Sequence, residues 1–140
     1  MKKNQWNKKE IQQLLDQAIE ARSFAYAPYS SFKVGAAIQS SDGRIYRGCN
    51  IENASYGLSI CAERVALYHA WASGSRDLIA IAIVYDPVRK AIPCGACRQV
   101  LMEFNPTMIL ISGNLKGAYQ LFHLDELLPH PFLPETVSSP

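Results

Sequence analysis

Two short stretches of the chain constrain its fold more than any other feature. "SICAER" at residues 59–64 and "PCGAC" at residues 93–97 each place cysteine where a helix is predicted to begin. Cys94 and Cys97 are three positions apart, so both sulfurs can reach one ion. Cys61 opens the earlier helix. We interpret the two stretches as halves of one site, which requires the fold to bring two helix starts together. Three thiolates favour zinc, which binds sulfur and imidazole in a tetrahedron.

The fourth position of this predicted zinc site has no protein ligand. His69, the nearest histidine in sequence, lies two helical turns beyond Cys61, roughly 12 Å along the helix axis. Three ligands and an open position are typical of catalytic zinc sites. An open position also gives Glu63 a predicted role in proton transfer, because a carboxylate beside an activated water can take and return protons. Positions i and i+2 of a helix do not share a face, so Cys61 is expected just before the regular helix.

The predicted zinc site also needs nearby positive charge. Three thiolates around Zn²⁺ leave one formal negative charge, which two helix N-termini help to offset. Arg64 and Arg98 each follow a ligand motif directly and can donate hydrogen bonds to sulfur. We favour Arg64, because it belongs to the same turn as Cys61. Cys49 has no motif around it and is interpreted as a small buried residue. His69 is interpreted as a core or interface histidine.

The remaining sequence predicts an α/β fold in a single domain spanning residues 1–140, with a loosely packed tail at about 134–140. Only "GNLKG" separates the last two predicted strands, which is too short for a crossover helix, so those strands must be antiparallel if they are neighbours. A mixed sheet covered by helices follows. The predicted elements, in order, are a helix from about residue 8 to 23, a hairpin around "SSDG", a helix at 61–72 that is apolar nearly all round, a central strand "LIAIAIVY" at 78–85, a helix ending before Pro106, the strands "MILIS" and "AYQLFHL", and a short helix near "DELL".

Composition excludes several classes of function. The net charge is +2, with both signs scattered along the chain. The sequence has no stripe of Lys and Arg of the kind that indicates a nucleic-acid partner. The longest apolar run is too short to span a bilayer, so no membrane partner is predicted. We find no signal peptide, and a cytoplasmic location is the default expectation. Four cysteines in such a chain favour metal or catalytic use over disulfides.

Taken together, Cys61-Ala62-Glu63 followed by Pro93-Cys94-x-x-Cys97 carries the signature of zinc-dependent deaminases. The chain resembles the small, all-cysteine-ligand, homotetrameric branch of the cytidine/deoxycytidylate deaminase superfamily. The similarity runs from "AYAPYSSFKVGAA" through "GCNIENASYG", "CAERVAL" and "PCGACRQVL" to "ELLP". The resemblance implies a three-layer α-β-α fold whose five-stranded mixed sheet ends in two antiparallel strands. It also implies one zinc ion per chain and hydrolytic deamination of cytidine and 2'-deoxycytidine, with release of ammonia, in pyrimidine salvage.

The resemblance also assigns roles to individual residues. It implies that Glu63 shuttles protons while an activated water attacks C4 of cytosine, and that Arg64 compensates thiolate charge. Asn50 and Glu52 are similar to residues that hydrogen-bond ribose, although without the "GCNIEN" match both would be interpreted as solvated loop residues. Active sites of this branch lie at subunit interfaces of the homotetramer. The implied zinc ligands are Cys61, Cys94 and Cys97, and the implied substrate-binding residues are Phe32, Asn50, Glu52, Ala62, Tyr56 and Phe132.

Three alternatives remain open from sequence. A thioredoxin-like redox protein explains "PCGAC" but leaves Cys61 and Glu63 without a role. A structural zinc module needs a fourth protein ligand, which the spacing does not offer. A deaminase of a blasticidin-type nucleoside antibiotic fits the zinc motifs, but those relatives usually lack the arginine after C-A-E and the "CNIEN" segment. A first ligand that is cysteine and an antiparallel last strand both favour a free nucleoside as substrate.

Overall fold

The order of helices and strands in the computed structural model, which describes residues 5–133, confirms the predicted order. One 3₁₀ helix, in the loop before the second α-helix, is an addition. The predicted tail at about 134–140 lies outside the described residues, and the single domain over 1–140 stays a prediction. The elements are α1 Lys8–Arg22, β1 Gly35–Ser40, β2 Ile45–Cys49, the 3₁₀ helix Tyr56–Leu58, α2 Ala62–Ala72, β3 Leu78–Val84, α3 Gly95–Phe104, β4 Ile109–Gly113, β5 Tyr119–His123 and α4 Leu124–Leu127.

The five strands form one mixed sheet in the order β2-β1-β3-β4-β5. The predicted central strand, β3, is central. β3 and β4 run parallel, and α3 makes the crossover between them. β4 and β5 are antiparallel, as the short "GNLKG" connection requires. The remaining pairs, β1 with β2 and β1 with β3, are also antiparallel.

Side chains of the strands alternate between two cores, one on each face of the sheet. On β3, Ile81 and Ile83 face the core formed with α2 and α3, whereas Ala80 and Ala82 face α1. The layers are therefore α1, the sheet, and the group of α2, α3 and α4. The predicted α/β class, with three α-β-α layers, is confirmed.

Two glycines let helices rest directly on the sheet. A Cβ atom at Gly48 on β2 would lie 2.3 Å from the backbone nitrogen of Ala66 on α2. A Cβ atom at Gly35 on β1 would lie 1.9 Å from the carbonyl oxygen of Ala18 on α1. Neither contact is possible for a larger residue. The backbones of α1 and α2 are therefore held at a fixed height above the strands, which also fixes where α2 begins.

A capping box begins α1, and α2, whose sequence is apolar nearly all round, still leaves several large side chains exposed. Asn7 caps α1 in a capping box with Glu10. On α2, Trp71 is 40 % exposed, and His69 is exposed rather than buried in the core. The His69 ring lies edge-on to the ring of Tyr46 on β2. Among the described helices, none is both long and apolar enough to cross a bilayer.

Candidate active site

The three cysteines of the two stretches meet at the start of α2 and α3. Their sulfur atoms all lie within 4.8 Å of one another, and the Sγ atoms of Cys61 and Cys94 are 3.8 Å apart. Tetrahedral zinc with bonds of about 2.3 Å to sulfur places neighbouring sulfurs roughly 3.8 Å apart. The described cysteines are all free thiols. The sulfurs of Cys61, Cys94 and Cys97 are therefore close enough together to hold one zinc ion.

Each helix begins with a cysteine in the cap position. Cys61 is the N-cap of α2 and has an extended backbone, with φ −77° and ψ 152°. This geometry confirms that Cys61 lies just before the regular helix. Cys94 is the N-cap of α3, and its sulfur accepts a hydrogen bond from the backbone N–H of Cys97 at 3.5 Å. The cap position turns each first sulfur toward the open end of its helix, where the two meet.

Glu63 is buried beside this cluster. Its side chain is only 5 % exposed, and Oε2 lies 3.6 Å from the Sγ atom of Cys97. Loss of solvent raises the pKa of Glu63 to about 7, and the nearby Cys61 charge acts in the same direction. A carboxyl group with a pKa near neutrality can both accept and release a proton under physiological conditions.

The thiols share protons unequally. A hydrogen bond from Cys97, with further ones from Arg64 and Cys94, lowers the pKa of Cys61 to about 5. The same contact with Cys61, together with burial, raises the pKa of Cys97. A metal binds the deprotonated thiol, so a cation bound here would hold all three sulfurs as thiolates. This donor set is therefore one that a metal ion completes.

The two arginines that follow the ligand motifs take different directions. Nη2 of Arg64 donates to the Sγ atom of Cys61 at 3.5 Å. Arg98 instead donates from Nε to the carbonyl oxygen of Pro93 and from Nη1 to that of Leu127, both at 2.9 Å. Arg64 is therefore placed to offset thiolate charge. Arg98 ties the segment before Cys94 to the end of α4.

A cavity of about 320 Å³ opens beside the sulfur cluster. Its volume falls at the lower end of the range for small-molecule sites. Four of the six predicted substrate-binding residues line it: Phe32, Asn50, Glu52 and Ala62. Its other lining residues are Val34, Ser59, Ile60, Cys61, Glu63, Ile83, Tyr85, Ile92 and Cys94.

Sequence reasoning missed Tyr85 as a wall of this cavity. Tyr85 directly follows β3, where an aromatic residue ends a run of aliphatic ones. Ligands of α/β sheets bind at the carboxyl ends of the strands, so this position offered a usable signal. The rings of Phe32 and Tyr85 form one wall, with centroids 4.9 Å apart and planes inclined by 50°.

The side chain of Asn50 makes two hydrogen bonds to the backbone of the segment that carries Phe32. Its Oδ1 accepts from the N–H of Val34 at 2.8 Å, and its Nδ2 donates to the carbonyl oxygen of Phe32 at 2.7 Å. An amide side chain has two donors and two acceptor sites, so one of each remains for a ligand. Asn50 therefore orients Phe32 and can still contact a hydroxyl group.

Glu52 is held in place on the cavity lining by three hydrogen bonds. Its carboxylate accepts hydrogen bonds from the N–H groups of Tyr29 and Ser30 and from the Ser30 hydroxyl. The Ser30 hydroxyl, followed by these backbone donors, holds the pKa of Glu52 below its usual value. An ionised carboxylate only accepts hydrogen bonds, and hydroxyl groups are suitable donors.

The last two predicted substrate residues lie outside the main cavity. Tyr56 is 73 % exposed and lines a neighbouring cavity that also includes Glu52 and Tyr29. Phe132 is 65 % exposed and lines neither described cavity; its backbone pairs with the side chain of Gln99. One chain therefore does not bring Tyr56 and Phe132 to the sulfur cluster.

Comparisons with known proteins agree with this geometry. The family model described as "Cytidine and deoxycytidylate deaminase zinc-binding region" matches residues 8–112. A cytidine deaminase of Halalkalibacterium halodurans is 52% identical over 129 residues, which cover 91% of this chain and 97% of the relative. One from Sporosarcina psychrophila is 45% identical, covering 92% and 96%. The crystal structure of cytidine deaminase from Burkholderia pseudomallei is 48% identical with a TM-score of 0.83, covering 86% of this chain and 97% of that one.

Proposed function

The chain belongs to the cytidine and deoxycytidylate deaminase family, and from this premise we propose how its residues deaminate cytidine in a zinc-dependent, hydrolytic reaction. The enzyme converts cytidine and water to uridine and ammonia. One observation carries the proposal: three sulfurs spaced for zinc leave room for a fourth ligand, and a buried carboxyl group lies 3.6 Å from one of them. 2'-Deoxycytidine is proposed as a second substrate.

The start of α2 contributes one proposed zinc ligand, and the start of α3 contributes two. Cys61, Cys94 and Cys97 hold zinc, which when bound supplies the Lewis acidity that makes a water nucleophilic at neutral pH. Arg64 donates to the Cys61 sulfur and so offsets part of the negative charge of three thiolates.

Glu63 is the proposed proton carrier. It takes one proton from the attacking water and delivers it to N3 of the cytosine ring. It then takes the remaining water-derived proton from the hydroxyl group formed on C4 and gives it to the amino group, which departs as ammonia. The balance is one water consumed and one ammonia released. Its pKa of about 7 supports both halves of this cycle, because the group is able to accept and release protons near neutral pH. Burial keeps competing solvent from its carboxyl oxygens.

The remaining cavity residues bind the nucleoside. We assign Phe32 and Ala62 to the pyrimidine ring and Asn50 and Glu52 to ribose hydroxyl groups, because both polar side chains keep free hydrogen-bonding capacity at the cavity. Glu52→Ala is expected to lower kcat/KM for cytidine strongly while barely affecting free cytosine, where that base is turned over. Asp42→Ala, an exposed carboxylate in the hairpin turn, is the matched control. An equal loss on both substrates would argue against ribose contact.

Assembly and context are part of the proposal. We propose a homotetramer whose active sites lie at subunit interfaces, so that Tyr56 and Phe132 complete a neighbouring site. Both side chains are largely exposed in one chain, so their rings are available for contact with a neighbouring subunit. We further propose a cytoplasmic location and a role in pyrimidine salvage. The described cysteines are all free thiols, as expected in a reducing compartment.

Turnover of cytidine tests the proposal directly. Purified protein with bound zinc should convert the ultraviolet spectrum of cytidine to that of uridine, and a chelator should stop the reaction. Blasticidin S, assayed in parallel, should be a poor substrate; preferential turnover of the antibiotic would assign the chain to that alternative. A zinc-free protein with a reducible disulfide between Cys94 and Cys97 would instead support the redox alternative.

A further inference from the structure

The cavity wall formed by Phe32 and Tyr85 lies where two strands separate. β1 and β3 are antiparallel, and at this end of their pairing Gly35 is opposite Val84. Phe32 precedes β1 and Tyr85 follows β3, so both aromatic residues belong to segments beyond the last paired residues. The ladder of backbone hydrogen bonds no longer sets the distance between these segments. The spacing of the wall therefore depends on contacts outside the ladder.

Arg22 supplies one such contact from the opposite face of the sheet. Its Nε–H is shared between the carbonyl oxygen of Lys33, at 3.1 Å, and that of Tyr85, at 3.0 Å. These two carbonyl groups lie just past the end of the β1–β3 pairing, one on each diverging segment. Charged donors make stronger hydrogen bonds than neutral ones, so the guanidinium group acts as a bridge between the segments.

The bridge has a rigid base. Arg22 lies in the last turn of α1, which rests directly on β1: a Cβ atom at Gly35 would come within 2.6 Å of the Arg22 backbone nitrogen. Asn50 holds the Phe32 segment from the other side through the carbonyl oxygen of Phe32. Arg22 thereby joins Tyr85 to a Phe32 segment that is already fixed. Arg22 itself is not among the residues that line the cavity.

We propose that Arg22 is a positioning residue for the deamination reaction. By joining the two segments, it sets the spacing of the Phe32–Tyr85 wall, and the pyrimidine ring rests against this wall. The inference rests on the proposed function. It adds to that function a residue on the far side of the sheet that shapes substrate binding without touching the substrate. Loss of the bridge should widen the wall and weaken the binding of cytidine, while leaving the sulfur cluster and Glu63 in place.

The test replaces Arg22 with methionine, which keeps the apolar stem and removes the donor. Arg22→Met is expected to raise KM for cytidine about three- to tenfold, the range for one lost hydrogen-bonding interaction, with kcat within about twofold. Zinc content should stay at one per chain. Arg22→Lys, which keeps a cationic donor, should recover part of the loss. Arg44→Met, at an exposed arginine in the hairpin turn, is the matched control and should behave as wild type.

A double-mutant cycle distinguishes positioning from general support of the fold. In a Tyr85→Leu background the wall is already lost, so adding Arg22→Met should raise KM no further. Additive effects, an unchanged KM, or a joint loss of kcat and zinc would each overturn the inference. If the wild-type chain itself fails to deaminate cytidine, the proposed function falls and this inference with it. An active wild type with an unaffected Arg22→Met variant overturns the inference alone.

Discussion

The start of α2 and the start of α3 look alike in sequence but do different work. Each has cysteine in the cap position and an arginine shortly after it. In α2 the second functional residue is Glu63, which is buried and faces the sulfurs. In α3 it is Cys97, a second sulfur one residue further along. A carboxylate at the second position after the cap, in place of a thiol at the third, thus separates the helix start with the proposed proton carrier from the one with two proposed zinc ligands.

The arginines sharpen the contrast. Arg64 donates to a sulfur atom, whereas Arg98 donates to two backbone carbonyl groups. The arginine of the α2 start therefore contributes positive charge to the site. The arginine of the α3 start instead fixes the backbone around that helix start. The lesson is that similar motifs at two helix ends need not share a role. Four changes, from the largest expected effect to the smallest, test this division.

Cys94→Ala removes a ligand from the gripping half and should have the largest effect. The metal links two segments that are far apart in sequence, so its loss removes both the site and part of the folding free energy. Zinc should fall well below one per chain, turnover of cytidine should drop to background, and the melting temperature should decrease. Cys49→Ala, outside the cluster, is the control and should keep zinc and activity. A zinc-replete, active Cys94→Ala protein would remove Cys94 from the site.

Glu63→Gln removes only the proton carrier of the α2 start. Turnover should fall by about 10²–10⁴, the usual contribution of general acid–base catalysis, while zinc stays at one per chain. Kinetics and metal analysis of the same preparation measure both quantities. Glu103→Gln, at an exposed carboxylate on α3, is the matched control. Turnover like that of the wild type would take the proton-transfer role away from Glu63.

The same substitution should stabilise chelator-treated protein in a pH-dependent way. The pKa of Glu63 is raised from 4.5 to about 7, so folding carries no cost for this group below pH 4.5. The cost grows as pH rises toward 7 and is complete above it, where it reaches roughly 3 kcal/mol. Urea unfolding should therefore show Glu63→Gln gaining on wild type between pH 5 and pH 8. A stability difference that does not change with pH would contradict the burial argument.

Arg64→Gln and Arg98→Gln should separate the two arginines by the smallest of these effects. Arg64→Gln is expected to lower activity or zinc affinity about 10- to 100-fold, as loss of a partner to a metal ligand usually does. Arg98→Gln should instead lower the free energy of unfolding by about 1–3 kcal/mol, with activity nearly unchanged. Kinetics and urea unfolding of both variants give the comparison. Identical profiles for the two would break the distinction drawn here.

Much of this site could be predicted because its signals are local. Whether Cys61 lies in or just before a helix depends on the residues beside it, and so does the spacing of Cys94 and Cys97. The directions of Arg64 and Arg98 could not be read in the same way, since each long side chain takes the partner that packing places within reach. That α2, although apolar nearly all round, leaves Trp71 exposed could not be read from the sequence for a related reason. An apolar helix face is buried only as far as other groups cover it: Phe104 and Arg76 pack against the Trp71 ring but leave it 40 % exposed.

The sequence by itself determined which residues are the candidates for the chemistry and in what order the helices and strands follow, because capping, periodicity and ligand spacing act over a few residues. Only the tertiary structure decided that Tyr85 faces Phe32, that Arg22 joins their segments from across the sheet, and that Arg98 turns from the sulfurs to the backbone. These contacts join positions up to 63 residues apart in the chain. Their existence depends on where packed layers place backbone groups in space, and no local pattern encodes that distance.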